Sequence, residues 1–277
     1  MDAVKYLNKL DIDNIELTKY LFFTGKGGVG KTTISSSIAL NLALNGKKVA
    51  LVSTDPASNL QDVFQMELSN KLTEYHQVPT LSIANFDPIA AADDYKSQSI
   101  EPYKGILPED VLSEMEEQLS GSCTVEVASF NEFTNFLSDE TLEQEFDFII
   151  FDTAPTGHTL LLLDSSENHH NELKKKSNQT ISNVEKLLPK IQNQDLTQMV
   201  IVTLAERTPF LESKRLVEDL NRANIGHNWW VVNQSLVTLN QRDDLFSEKK
   251  QDESFWINKV KNESCNNYFV IPFGGLT

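Results

Sequence analysis

The chain has 277 residues, 40% of them hydrophobic and 23% charged, the ordinary mixture of a folded globular protein and far from the composition of disorder. Its formal net charge of −16 argues against a nucleic-acid partner and against an anionic membrane surface, because both are held by clustered lysine and arginine. Two cysteines are too few for a disulfide framework at this length.

The opening stretch MDAVKYLNKLDIDNIE lacks the apolar core of a signal peptide, and no run approaches the roughly 20 apolar residues needed to cross a bilayer. A cytoplasmic protein is expected. The first predicted strand is YLFFT, from Tyr20, and a helix TISSSIALNLAL follows with Ile34, Ile38 and Leu42 on one face. Between them lies GKGGVGKT, Gly25 to Thr32, which satisfies G-x-x-x-x-G-K-[ST] in the strand-to-helix context that the motif requires. Glycines let the backbone curl so that its N–H groups face phosphate oxygens, and the helix that follows adds the positive end of its dipole. Lys31 is expected to neutralise the β and γ phosphates, and Thr32 to offer its hydroxyl to Mg²⁺. The nucleotide-binding set is then Gly25, Lys26, Gly27, Gly28, Val29, Gly30, Lys31, Thr32 and Thr33.

KVALVST, from residue 48, reads as the next strand and leads into Asp55 and Pro56; TLSIANF, from 80, reads as another. The segment from Asp87 to Glu145 is helical in composition and acidic, and reads equally as an inserted subdomain or as ordinary crossover helices with solvated faces. FDFIIFDT, from 146, ends near Asp152, with Pro155 soon after. Asp55 and Asp152 thus stand at carboxyl ends of strands, where ligands bind in open α/β sheets, and both are expected on exposed loops. Each alone could be a turn former; beside a phosphate loop they are candidates to hold Mg²⁺ and to position a water. Residues 165–198 are polar and rich in Asn, Gln and Lys, and His169 and His170 within them read as solvated. MVIVTL from 199, a helix with Leu211, Leu216 and Leu220 on one face, WWVVNQSL from 229 and YFVIP from 268 complete the pattern. Most of the strands lack period-2 alternation, as expected where both faces are buried. The expectation is an α/β fold, a mostly parallel sheet flanked by helices, as one domain over residues 1–277 with a helical insertion at about 88–145.

GKGGVGKT with lysine at both positions, STDPASN and DTAPTGHT together resemble the arsenical-pump-driving ATPases and their relatives, the ATPases that target tail-anchored membrane proteins. The resemblance runs from about Tyr20 to Pro272. It implies a P-loop NTPase of the deviant Walker A (SIMIBI) class that hydrolyses ATP with Mg²⁺. Lys26 is similar to the signature lysine that reaches across a nucleotide-sandwich homodimer to the partner's phosphates. Asp55 corresponds to the switch I residue that orients the attacking water, and Asp152 to the switch II aspartate near Mg²⁺. Asn233 matches the residue that reads adenine and Pro272 the one that closes the base pocket.

Cysteine content bears on the choice between the two relatives. The eukaryotic targeting ATPases join subunits through a C-x-x-C zinc pair, which this sequence lacks, and four methionines are few for a methionine-rich client groove. In the pump ATPases As(III) or Sb(III) is held by soft thiolates. By that resemblance Cys123, in LSGSCTVEVASF, and His158, in TGHT, are metalloid ligands; on the residues alone Cys123 reads also as a small core residue, and His158 as a support for switch II. The implied partners are a membrane arsenite efflux pump, with the protein at the membrane periphery through it, and a metallochaperone. The pump ATPases carry two such halves in one chain, whereas this sequence has one P-loop. Its part through TGHT resembles their N-terminal half, and VTLAERTPFLESKRLVEDL their C-terminal half. A targeting chaperone and a non-hydrolysing nucleotide-binding regulator are the rival functions.

Overall fold

The computed structural model describes residues 16–54, 60–152, 189–226, 229–237 and 244–274. Its strands are β1 (Tyr20–Thr24), β2 (Val49–Ser53), β3 (Thr73–Tyr75), β4 (Val78–Asn85), β5 (Phe148–Asp152), β6 (Thr197–Leu204), β7 (Trp229–Ser235) and β8 (Tyr268–Pro272). The principal helices are α1 (Lys31–Leu44), α2 (Leu60–Phe64), α3 (Pro88–Ile100), α4 (Glu109–Gln118), α5 (Ser122–Ser138), α6 (Glu140–Glu145), α7 (Arg207–Arg222) and α8 (Asp244–Glu263).

The strands form one sheet in the order β3-β4-β2-β5-β1-β6-β7-β8. All neighbours are parallel except β3, which runs antiparallel to β4. The apolar runs at 20, 48, 80, 146, 199, 229 and 268 all become strands; β3 is additional. Alternation along β1 shows why continuous apolar runs were needed. Tyr20 and Phe22 belong to one core layer, Leu21 and Phe23 to the opposite one, because successive side chains of a strand leave opposite faces. On the first face Phe22 stacks on Phe151 at 4.6 Å, and Phe133 of α5 meets Phe151 edge-on at 5.2 Å. On the second, Ile34, Ile38 and Leu42 of α1 pack against Leu51, Ile83 and Ile150. Each such side chain contributes roughly 1.5–3 kcal/mol by burial.

Two expectations need correction. On α7 the buried face is Phe210, Ser213, Leu216, Val217 and Leu220, whereas Leu211 is 43% exposed. Leu211 and Leu216 are five residues apart, and the 3.6-residue turn puts them on different sides. Asp152 was expected on an exposed loop, but it is the last residue of β5 and 1% exposed. Its strand runs on because Phe23 of β1 and Ser53 of β2 flank Asp152 on either side.

Between β4 and β5 the chain is helical from Pro88 to Glu145, interrupted by short turns. Asp87 starts α3 by accepting hydrogen bonds from the N–H groups of Ile89 (2.9 Å) and Ala90 (3.2 Å), an N-cap with proline at the first helical position. Small residues Ala91, Ala92 and Ala128 join α3 to α5, while α4 buries no residue. At the amino end of the sheet Lys190 donates to Glu143 Oε2 (2.6 Å), the Leu137 carbonyl (3.0 Å) and the Tyr20 hydroxyl (3.1 Å). Among the described residues no helix is long and apolar enough to cross a membrane.

Candidate nucleotide-binding site

β1 is central in the sheet, so the loop that leaves its carboxyl end lies between the ends of β5 and β6. Gly25 is buried there against β6: a Cβ at this position would stand 2.2 Å from the Val202 carbonyl oxygen, and its φ of +150° is one that side chains rarely allow. The loop then rises to an exposed rim at Lys26, Gly27 and Gly28 and returns through buried Val29. Gly30, with φ 93°, caps α1 without any side-chain hydrogen bond, and the first turn of α1 carries no acidic residue. The first N–H groups of α1 are therefore not taken by a capping side chain, which leaves an electropositive helix end suited to phosphate.

Asn233, at the end of β7, braces this return. Its amide nitrogen donates to the Val29 carbonyl (2.9 Å), and its Oδ1 accepts from the Gln234 N–H (2.9 Å). A Cβ on Gly30 would sit 2.3 Å from that amide nitrogen, so a side chain at 30 would have to displace the Asn233 amide from Val29 as well as adopt a φ of 93°. Ser235 pairs in register with Pro272 of β8, which brings the two expected base-pocket positions, Asn233 and Pro272, to the same end of adjacent strands. Ser235 also donates to Glu253 Oε2 (2.9 Å), which accepts the Leu236 N–H as well (2.8 Å). Glu253 is 4% exposed, so α8 fixes the chain where it leaves β7.

At the start of α1, Lys31 is buried and Thr32 donates its hydroxyl to Asp152 Oδ2 at 2.6 Å. The pairing joins α1 to β5 across 120 residues. It leaves the Thr32 oxygen its lone pairs, so a hydroxyl and a buried carboxylate stand side by side as hard oxygen donors. Mg²⁺ takes that donor chemistry, usually with one or two protein oxygens and the phosphates of its substrate. Lys26 Nζ lies 2.5 Å from Glu212 Oε1 on α7.

Compared with known proteins, residues 18–190 and 164–270 match the model of the family described as "Anion-transporting ATPase". The chain belongs to the anion-transporting ATPase family. Within the family it is 43% identical over 230 residues to an "Arsenical pump-driving ATPase" of Acidiphilium multivorum, covering 77% of this chain and 39% of that one. A protein of the same description from Escherichia coli is 40% identical over 247 residues, covering 83% and 42%. The chain thus spans about two fifths of the length of these two relatives. An "ATPase GET3" of Scheffersomyces stipitis is 34% identical over 254 residues, covering 79% of this chain and 73% of that one.

Of the residues singled out in the sequence, Gly25 to Thr33, Asp152, Asn233 and Pro272 converge on one end of the sheet. Asp55 and His158 lie outside the described residues, and Cys123 lies on α5 with its side chain outside them. Cys265 is exposed just past α8. Sequence reasoning missed Glu212 and Glu253. The first lies inside VTLAERTPFLESKRLVEDL, a stretch with family resemblance, but nothing local marks a partner 186 residues away.

Proposed function

We propose that this chain binds ATP with Mg²⁺ at loop 25–33 and hydrolyses it to energise arsenite or antimonite extrusion through a membrane pump. The observation that carries the proposal is the contact between Thr32 and buried Asp152 at the uncapped start of α1. Lys31 and the amide groups of the loop would neutralise the β and γ phosphates, a stabilisation that matters most as charge develops in transfer. Thr32, Asp152 and Asp55 would hold Mg²⁺, and the ion when bound would supply charge compensation between those phosphates. Asp55 would align the attacking water. Lys26, on the exposed rim, would serve the nucleotide of a second copy in a homodimer.

Asn233 and Pro272 would flank the adenine. Because the Asn233 amide now donates to Val29, reading the base requires the side chain to use its carbonyl face or to turn. Cys123 and His158 would bind As(III) or Sb(III) and favour the closed dimer, so hydrolysis rises by a shift of population. The protein would act in the cytoplasm, at the membrane only through its pump, with a metallochaperone as metalloid donor.

The test is phosphate release by the full chain with and without Sb(III). Lys26→Ala should lower turnover about 100-fold or more while leaving much of the ATP binding, and Cys123→Ser should remove the response to antimonite. Undiminished turnover in the first variant would refute the trans lysine, and intact stimulation in the second would refute the metalloid site.

One observation favours a second reading, a carrier of hydrophobic membrane-protein segments. Ile89 and Ile106, in the helical segment between β4 and β5, are 67% and 75% exposed, and α4 buries nothing. Hydrophobic segments co-purifying with an ATP-trapped Asp55→Asn variant would select it.

A further inference from the structure

Lys26 is at once exposed and engaged. Its side chain is 56% accessible, yet its ammonium is held at 2.5 Å by Glu212, in the second turn of α7. Glu212 is only 27% accessible, and its second oxygen, Oε2, is buried without a hydrogen-bond partner. A carboxylate that has given up this much water depends on its cation, since removing one partner of such a pair leaves an uncompensated charge. Neighbouring lysines are engaged elsewhere: Lys249 with Glu206 at 2.8 Å and Lys214 with Glu263 at 3.5 Å. Among the described residues, Lys26 is the cation paired with Glu212.

We infer that Glu212 is a positioning residue that parks Lys26 on its own chain before nucleotide-driven assembly, and so sets the threshold for that assembly. This rests on the reading of Lys26 as the lysine that serves a second copy. A lysine cannot keep this contact in cis and reach another subunit's phosphates; one bond must be given up for the other. The cost falls on Glu212, whose buried side loses its neutralising charge. A half-exposed ion pair is worth a factor of about two to five in an equilibrium. A two-fold dimer opens two such latches, so the factor applies twice, giving about four- to twenty-five-fold in the dimerisation constant.

The experiment uses the full chain as wild type, Glu212→Gln, Glu212→Asp and Lys26→Ala/Glu212→Gln, each checked for an unchanged urea midpoint. The first reading is the rate at which an amine-reactive reagent modifies Lys26 without nucleotide, followed by peptide mass spectrometry. Glu212→Gln should raise it about two- to five-fold, and Glu212→Asp, which keeps the charge, should restore part of the protection. The second is sedimentation with Mg²⁺ and a non-hydrolysable ATP analogue. Glu212→Gln should dimerise at about four- to twenty-five-fold lower protein concentration, and the same substitution should change nothing where Lys26 is already alanine, as a double-mutant cycle requires.

Unchanged labelling would overturn the parking contact. Faster labelling with an unchanged or weaker dimer would overturn the threshold. A wild-type chain that remains monomeric at saturating analogue would remove the reading of Lys26 and the threshold together, and the labelling rate would then report the cis contact alone.

Discussion

Asp152→Asn separates the two tasks assigned to that residue. The Asp152 side chain is 1% exposed and accepts the Thr32 hydroxyl at 2.6 Å. An asparagine oriented with its oxygen toward Thr32 still accepts that bond, but it no longer carries charge. Hydrogen bonds to charged groups contribute about 1.5–3 kcal/mol and neutral ones about 0.5–1.5, so the variant should lose about 1 kcal/mol from this contact. Against the loss stands relief from holding a carboxylate out of water, and the net change in nucleotide-free stability should be small. Ligand-linked stability behaves differently. At ATP and Mg²⁺ concentrations of 100 times Kd, binding adds about 2.7 kcal/mol, or roughly 5–10 °C in Tm for a chain of this size. Thermal unfolding with ATP in EDTA and in excess Mg²⁺ measures the increment due to the ion. The wild type should show it; the variant should keep only the shift seen in EDTA. A full magnesium-dependent increment in Asp152→Asn would refute the assignment of Asp152 to the ion.

Gly25→Ala should cost about 2–5 kcal/mol, because the new Cβ would stand 2.2 Å from the Val202 carbonyl oxygen at a φ of +150° and both overpacking and backbone strain add; an unchanged urea midpoint would show that the loop can move off β6. Glu143→Gln should destabilise the chain by about 0.5–1 kcal/mol at pH 7. The Lys190 hydrogen bond holds the Glu143 carboxyl below its ordinary value of 4.5, so this contribution is present above that value and is lost as the pH falls through the lower native one. For Lys190, burial pulls the ammonium down, but Glu143 and Tyr20 outweigh it and leave it above 10.5; its share persists below that value and fades as pH rises through the higher native one. Urea midpoints of wild type and variant should therefore differ at neutral pH and converge in acid. Parallel curves throughout would dissociate the pair from stability.

What could be read from the sequence depended on range. Strands buried on both faces announce themselves as apolar runs, and every such run formed a strand. β3 escaped because it is three residues long, with Thr73 and Glu74 exposed, and it is stabilised by pairing with β4, not by composition. Asp152 was legible as a strand-end carboxylate but its burial was not, since that follows from flanking strands far away in sequence. Leu211 was assigned to the wrong side of α7 because the expected face was anchored at 211 instead of Phe210, one residue away. The glycine-rich loop is a local motif, and its place between β1 and α1 was legible in full. Its supporting contacts, Asn233 with Val29 and Glu212 with Lys26, span 204 and 186 residues; Asn233 was singled out for the base, and neither contact leaves a local trace.

The position of β1 also fixes when this site can exist. Both strands that flank it come late: β5 begins at Phe148 and β6 at Thr197. At roughly 5–20 residues per second of synthesis, the 204 residues between Val29 and Asn233 amount to about 10–40 s. For most of that interval the nascent chain carries a glycine-rich loop without both of its flanking strands, and for all of it without its brace. On the proposed function, nucleotide would meet a formed loop only after nearly the whole chain described here has left the ribosome, so binding of ATP would report completion of the fold.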